Sequence, residues 1–220
     1  MLMAPEKIEN KPKNIAVVVA HPDDETLWCG GLILKNPQHH WFIACLSRRY
    51  DIDRAPKFQQ VLIKLKAQGI MGNLNDDPDQ IPLPEKIVEN EILNILPNVH
   101  FDIILTHNPL GEYTRHRRHE EVGIAVQKLW ENHKISTKEL WIFAYEDNNK
   151  KYFPKPIKSA THHETLSIKV WNAKYDIITQ VYGFAKTSFE AKTTPKEEAF
   201  WKFTKPIEGY NWIKKQKLKQ

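Results

Sequence analysis

The run from Asn14 to Gly31, NIAVVVAHPDDETLWCGG, limits the folds open to this chain more than any other stretch. Ile15 to Ala20 are six apolar residues in succession, which predicts a strand buried on both faces, as parallel strands are in α/β proteins. The strand stops where His21, Asp23, Asp24 and Glu25 crowd four ionisable side chains into five positions. Pro22 removes a backbone donor there and takes the chain out of the ladder. A buried strand ending on such a cluster sets it at the carboxyl edge of the sheet, where open α/β sheets hold their ligands. Imidazole nitrogen and carboxylate oxygen are also zinc ligand types. The plainer alternative is a solvated turn in which Asp24 and Glu25 complement a helix macrodipole.

Strand and helix patterns then alternate. Helix is expected over Glu25–Lys35, 56–67, 85–96 and 118–132, and strand over 41–46, 69–72, 101–106 and 140–145. That alternation predicts a Rossmann-like, doubly wound, mostly parallel sheet with helices on both faces and strand order 3-2-1-4-5. The glycines at 30 and 31 weaken helix propensity but permit close helix-to-sheet approach. Beyond residue 150 the pattern loses regularity, with a strand expected over 165–171 and helices over 174–182 and 195–203. The organisation expected is one domain over 1–220, with a core at about 14–150, an irregular C-terminal appendage at about 151–212, which could act as a lid, and a basic tail at 213–220.

A second cluster follows the fourth core strand, in THNPLGEYTRHRRHEEVG at 106–123. His116 and His119 are three apart at a helix start and share a face. The order 3-2-1-4-5 makes the first and fourth strands neighbours, so both clusters open into one crevice. His21, Asp24 and His119 can then supply three zinc ligands and leave a position for water, with Asp23 and His116 unliganded beside them. A basic helix start that touches water or phosphate is the simpler account of the second cluster. His107 is a fallback ligand whose expected role is to support the ligands. Fe2+ or Co2+ would suit the same donors.

Composition narrows the function classes. With 41% apolar and 27% charged residues the chain reads as a folded globular protein. No apolar run approaches the roughly 18 residues of a membrane span, and the start MLMAPEKIENKPKN is polar, so a cytoplasmic protein without a transmembrane segment is expected. Cys29 and Cys45 make no disulfide framework, and Cys29 is expected to pack on a helix face. The net charge of +5 permits contact with anions. Much of it sits in Lys214, Lys215, Lys217 and Lys219, read as a solvated end, so no nucleic-acid partner is expected.

AHPDDE after a hydrophobic strand, followed by THNPLGEYTRHRRH, resembles the LmbE-like or PIG-L family of zinc-dependent deacetylases of N-acetylglucosamine conjugates. Weaker echoes extend through Arg54, 174–180 and Glu197-Glu198-Ala199-Phe200. The resemblance implies that His21, Asp24 and His119 bind zinc, that Asp23 is the general base, that His116 assists the transition state, and that Arg54 contacts substrate. The family's His-Pro-Asp-His is His116-Arg117-Arg118-His119 in this chain, which leaves Glu120 or Glu121 as the candidates for holding His116. Tyr113 stands three residues before His116, one more than in the family, and is given no oxyanion role.

The expected reaction is hydrolysis of an acetyl amide in a small N-acetyl sugar conjugate, with protonated His116 and the zinc stabilising the oxyanion. The alternatives are a zinc amidase acting on another N-acyl compound, such as a thiol conjugate, and a noncatalytic module binding a nucleotide or nucleic acid. Two carboxylates beside a histidine argue against the last, because they repel phosphate. A homo-oligomer is compatible with all three readings.

Overall fold

A computed structural model describes residues 11–113 and 115–217, with side chains to residue 215. The first ten residues of the polar start, Thr114 of the second motif, Lys219 and the side chain of Lys217 lie outside the described residues.

The apolar run forms β1 (Asn14–Val19), and its alternate residues feed two different cores. Ile15, Val17 and Val19 pack with Trp28 and Ile33 of α1 (Asp24–Lys35) and Phe58 and Val61 of α2 (Arg54–Leu65). Ala16, Val18 and Ala20 face Val88 and Ile92 of α3 (Glu85–Ile95) and Val122 and Val126 of α4 (Arg117–Glu131). Both sheet faces are covered, which is why the run shows no polar alternation. Truncating Trp28, which is fully buried, to Ala would cost about 3–5 kcal/mol through lost burial and the cavity left behind.

The remaining core strands are β2 (His40–Ser47), β3 (Gln68–Leu74), β4 (His100–Thr106) and β5 (Ser136–Phe143). They pair in parallel in the expected order β3-β2-β1-β4-β5. β1 and β4 are adjacent, with Val18 opposite Thr106, so the chain segments leaving both strands meet at one sheet edge.

The C-terminal segment departs from the expectation. Residues 195–203 do not form a helix: Glu197–Phe203 is a strand, β9, antiparallel to β5 inside the same sheet. The expected strand at 165–171 lies earlier, at His162–Thr165 (β8), the edge partner of β9. Ser167 then caps α5 (Ile168–Asp176) by accepting a hydrogen bond from the Val170 N–H. The helix expected over 174–182 is the end of α5 and a π turn at Ile177–Val181. A two-stranded ribbon of β6 (Tyr145–Glu146) and β7 (Lys155–Pro156) precedes β8, and α6 (Phe189–Thr193) and α7 (Pro206–Lys217) complete the elements.

β9 reads like a helix because it opens on two glutamates, the second of which is buried. Glu198 is fully buried; its carboxylate accepts from Lys174 Nζ at 2.6 Å and from the backbone N–H groups of Gly31 and Leu32, both at 2.7 Å. The carboxylate therefore ties β9 to the middle of α1. Gly31 is required for that approach: a Cβ there would stand 2.4 Å from Leu166 and 2.9 Å from Glu198 Oε1. Among the described residues no helix is long and apolar enough to cross a membrane.

Candidate functional site

The site forms where β1 and β4 end. Leaving β1, the chain supplies His21, then Asp23 and Asp24 at the start of α1; beyond β4 it supplies His107, a loop through Glu112, and His116 and His119 at the start of α4. Gly111 adopts φ +80, so this loop can turn back on itself with no Cβ penalty. Gly123 lets α4 lie against the 107–109 backbone; a Cβ there would stand 2.5 Å from the His107 carbonyl oxygen.

His21, Asp24 and His119 converge as the sequence predicts. His21 Nδ1 lies 3.1 Å from Asp24 Oδ2 and 3.2 Å from His119 Nε2, and His119 Nε2 lies 3.3 Å from Asp24 Oδ1. The far side of each ring meets a carboxylate. His21 Nε2 is 2.9 Å from Asp76 Oδ1, and His119 Nδ1 is 2.7 Å from Glu112 Oε2. Each outer nitrogen is thus the donor, which turns the lone pairs of His21 Nδ1 and His119 Nε2 toward one another beside a carboxylate.

Two lone pairs and an anion at this spacing repel unless a positive charge lies among them. The 3.2 Å between His21 Nδ1 and His119 Nε2 also matches the edge of about 3.3 Å in a tetrahedral site with metal–ligand bonds of about 2.0 Å. Burial opposes charge on His21 and His119, yet hydrogen bonds and charge from Asp24, with Asp76 on one ring and Glu112 on the other, raise both above the usual histidine value. Asp24 is buried and still held well below the ordinary carboxylate range by His119 and His107. Its orientation is set by the Trp28 indole N–H at 3.1 Å and the His21 backbone N–H at 2.8 Å. The donor set fits a divalent cation.

His107 has a different place. Its Nε2 accepts the Ala20 backbone N–H at 3.0 Å, its Nδ1 faces Glu112 Oε2 at 3.2 Å, and its ring stacks on His119 at 3.9 Å. With Asp24 and His119 it forms one group of neighbouring donors, and His21, His116 and His119 form another. The same His107 Nε2 lies 3.3 Å from Asp24 Oδ2.

Asp23 and His116 lie beside the convergence. Asp23 has φ 130, outside the ordinary regions for a side-chain-bearing residue, and its carboxyl is pushed well above the usual range by burial and by Asp24. His116 stacks on His119 at 4.3 Å and makes an edge contact with His21 at 4.6 Å. Burial, with His119 and His21 alongside, pushes its pKa down to about 3. Its Nδ1 has no hydrogen-bond partner among the described residues. Arg54 sits with Nη1 3.8 Å from Asp23 Oδ2. These residues line a cavity of about 440 Å³ together with Arg48, Tyr113, Phe189 and Glu190.

Sequence reasoning misses Asp76 and Glu112. Asp76 sits in a polar loop with no motif, and only its partners reveal it: His21, and Arg48 at 2.7 Å. Burial alone would raise Asp76, but His21, Gln80 and Arg48 hold it far below the carboxylate range. For Glu112 the available signal was a carboxylate after a turn glycine, seven residues before His119. Neither Glu120 nor Glu121 holds His116: Glu120 pairs with Arg115 at 2.6 Å, and Glu121 pairs with Arg118 and accepts the Leu83 N–H at 3.0 Å. Arg118 is fully buried and donates to the carbonyls of Asn75 at 2.7 Å and Ile81 at 3.1 Å, pinning the loop that carries Asp76 onto α4.

The architecture is shared with solved proteins at low sequence identity. N,N'-diacetylchitobiose deacetylase from Pyrococcus horikoshii, complexed with its inhibitor, superposes with a TM-score of 0.68 at 13% identity, covering 91% of this chain and 85% of that one. The zinc-inhibited form of teicoplanin deacetylase superposes with a TM-score of 0.59 at 11% identity, covering 86% of this chain and 97% of that one. An uncharacterised protein of Acanthamoeba polyphaga mimivirus is 23% identical over 178 residues, covering 74% of this chain and 75% of that protein. Residues 16–130 match the GlcNAc-PI de-N-acetylase family, and with more than half of its length matched the chain belongs to that family, also called PIG-L or LmbE-like.

Proposed function

We propose that this chain is a metal-dependent N-deacetylase that hydrolyses the acetyl amide of a small N-acetylglucosamine-type conjugate. One observation carries the reading: the inward lone pairs of His21 and His119 meet Asp24 at ligand spacing, with Asp76 and Glu112 fixing both rings from behind. Family membership supports the reaction class, and the names of the deacetylase neighbours agree with it. His21, Asp24 and His119 would hold the ion, with zinc first and Fe2+ or Co2+ as alternatives. When bound, such an ion lowers the pKa of a water from 15.7 to about 7 and polarises a carbonyl.

The chain's own groups divide the proton work. Asp23, whose pKa burial and Asp24 push up, accepts the proton of the attacking water. As the C–O bond forms and the amide C–N bond breaks, Asp23 returns a proton to the departing nitrogen, giving acetate and a free amine. His116 lines the same cavity and assists the transition state at the carbonyl oxygen. Arg54 lines the same cavity and offers planar donors to substrate oxygens.

The test combines elemental analysis of the purified protein with acetate and amine release from N-acetylglucosamine conjugates, with and without chelator. Bound metal and chelator-sensitive release support the reading; release that persists in metal-free protein overturns it. Faster cleavage of other N-acyl groups than of N-acetyl sugars would favour the broader amidase.

A further inference from the structure

The C-terminal segment reaches the site through Glu25. The π turn Ile177–Val181 closes with the Tyr182 N–H donating to the Ile177 carbonyl at 2.9 Å, five residues back. One extra residue in a helical turn re-aims the side chains that follow, and such turns concentrate at functional sites. Tyr182 is 1% exposed, and its hydroxyl donates to Glu25 Oε1 at 2.8 Å. Glu25 is fully buried; Oε1 also accepts from the Thr26 hydroxyl at 2.6 Å, while Oε2 accepts the Asp23 backbone N–H at 3.1 Å. Asp23 is the residue held at φ 130. Such a conformation persists only where its surroundings over-determine it. After Gly183, at φ +78, the same segment places the Phe184 ring under the Arg54 guanidinium at 4.3 Å, and Arg54 faces the Asp23 carboxylate.

We propose that Tyr182 and Glu25 are positioning residues for Asp23: the π turn delivers a hydroxyl that locks the Glu25 carboxylate, and that carboxylate holds the Asp23 backbone in the conformation that aims its side chain into the cavity. This rests on the reading of Asp23 as the proton acceptor, and it gives the C-terminal segment a part in the reaction. Neither residue touches substrate; both act through Asp23.

The test uses Tyr182→Phe, which removes one oxygen and keeps the ring in the core. Expected is a drop in kcat of about five- to tenfold, as misaimed catalytic groups give, with KM within about twofold and metal content unchanged. Exchange of the Asp23 amide hydrogen, followed by NMR, should quicken about tenfold. In an Asp23→Asn background Tyr182→Phe should have no further effect on kcat, because the group it positions is gone. Equal losses in both backgrounds, or an unchanged amide, overturn the proposal. If the wild-type protein cleaves no N-acetyl substrate, the deacetylase reading falls, while the amide exchange still decides whether the brace exists.

Discussion

Lys174→Met should unfold this protein more readily than any surface substitution, and the expected loss follows from what Glu198 touches. Lys174 and Glu198 are both fully buried and 2.6 Å apart. Burial lowers the Lys174 pKa despite Glu198 beside it. Methionine fills nearly the same volume, so packing changes little, but the Glu198 carboxylate is left without a countercharge in the core. Removing one partner of a buried ion pair costs about 3–5 kcal/mol. Two backbone donors, Gly31 and Leu32, still solvate the anion at 2.7 Å, which places the loss near the lower end, about 3 kcal/mol. For a chain of 220 residues that corresponds to a fall in Tm of about 6–12 °C. Thermal melts followed by far-UV circular dichroism, with urea titration for the free energy, measure it. Adding Glu198→Gln removes the orphaned charge and should recover part of the loss. A Lys174→Met protein within 1 °C of the wild type, or a double variant less stable than the single one, would refute the reasoning.

Glu112 should make the metal-free protein acid-sensitive. Burial would raise its pKa, but His107 and His119 hold it at about 2, below the 4.5 of a free glutamate, so its stabilisation is complete above pH 4.5 and is lost as pH falls toward 2. Melts of metal-free Glu112→Gln should show a shallower acid limb across that window; an unchanged limb contradicts the assignment. Arg118→Met should free the loop bearing Asp76, weakening metal affinity by about ten- to hundredfold, as loss of groups supporting a ligand does, with the fold retained. Competition with a chromophoric chelator reads this directly, and wild-type affinity would show that the loop is held by other contacts. Asp23→Asn should keep its metal and lose about a hundredfold or more in turnover; an undiminished rate removes Asp23 from the proton-transfer role.

The parts of this molecule that could be read from sequence are those whose physics is local. Ile15 to Ala20 announce a doubly covered strand because each residue is apolar whichever face it meets, and the strand order then brings His21 and His119 to one edge. The parts that could not be read depend on a distant partner. Glu198 suggests solvent until Lys174 and the α1 backbone supply its hydrogen bonds, so β9 looked like a helix. Asp76 becomes significant only when Arg118 folds its loop back against His21. His116 shows the same limit: nothing in HRRH signals that burial and two neighbouring imidazoles lower its pKa. The π turn is an insertion within a helical pattern, and the hydrogen bond from Tyr182 to Glu25 that follows it joins residues 157 apart in the chain.

The proposed site has His21, Asp24 and His119 closing around a single divalent ion. Metal content by elemental analysis, measured side by side on wild-type and His119→Ala protein after dialysis, tests it most directly. The account predicts about one equivalent of a divalent transition metal in the wild type and a near-complete loss in the variant, with both proteins folded by circular dichroism. Full retention of metal by folded His119→Ala would contradict it.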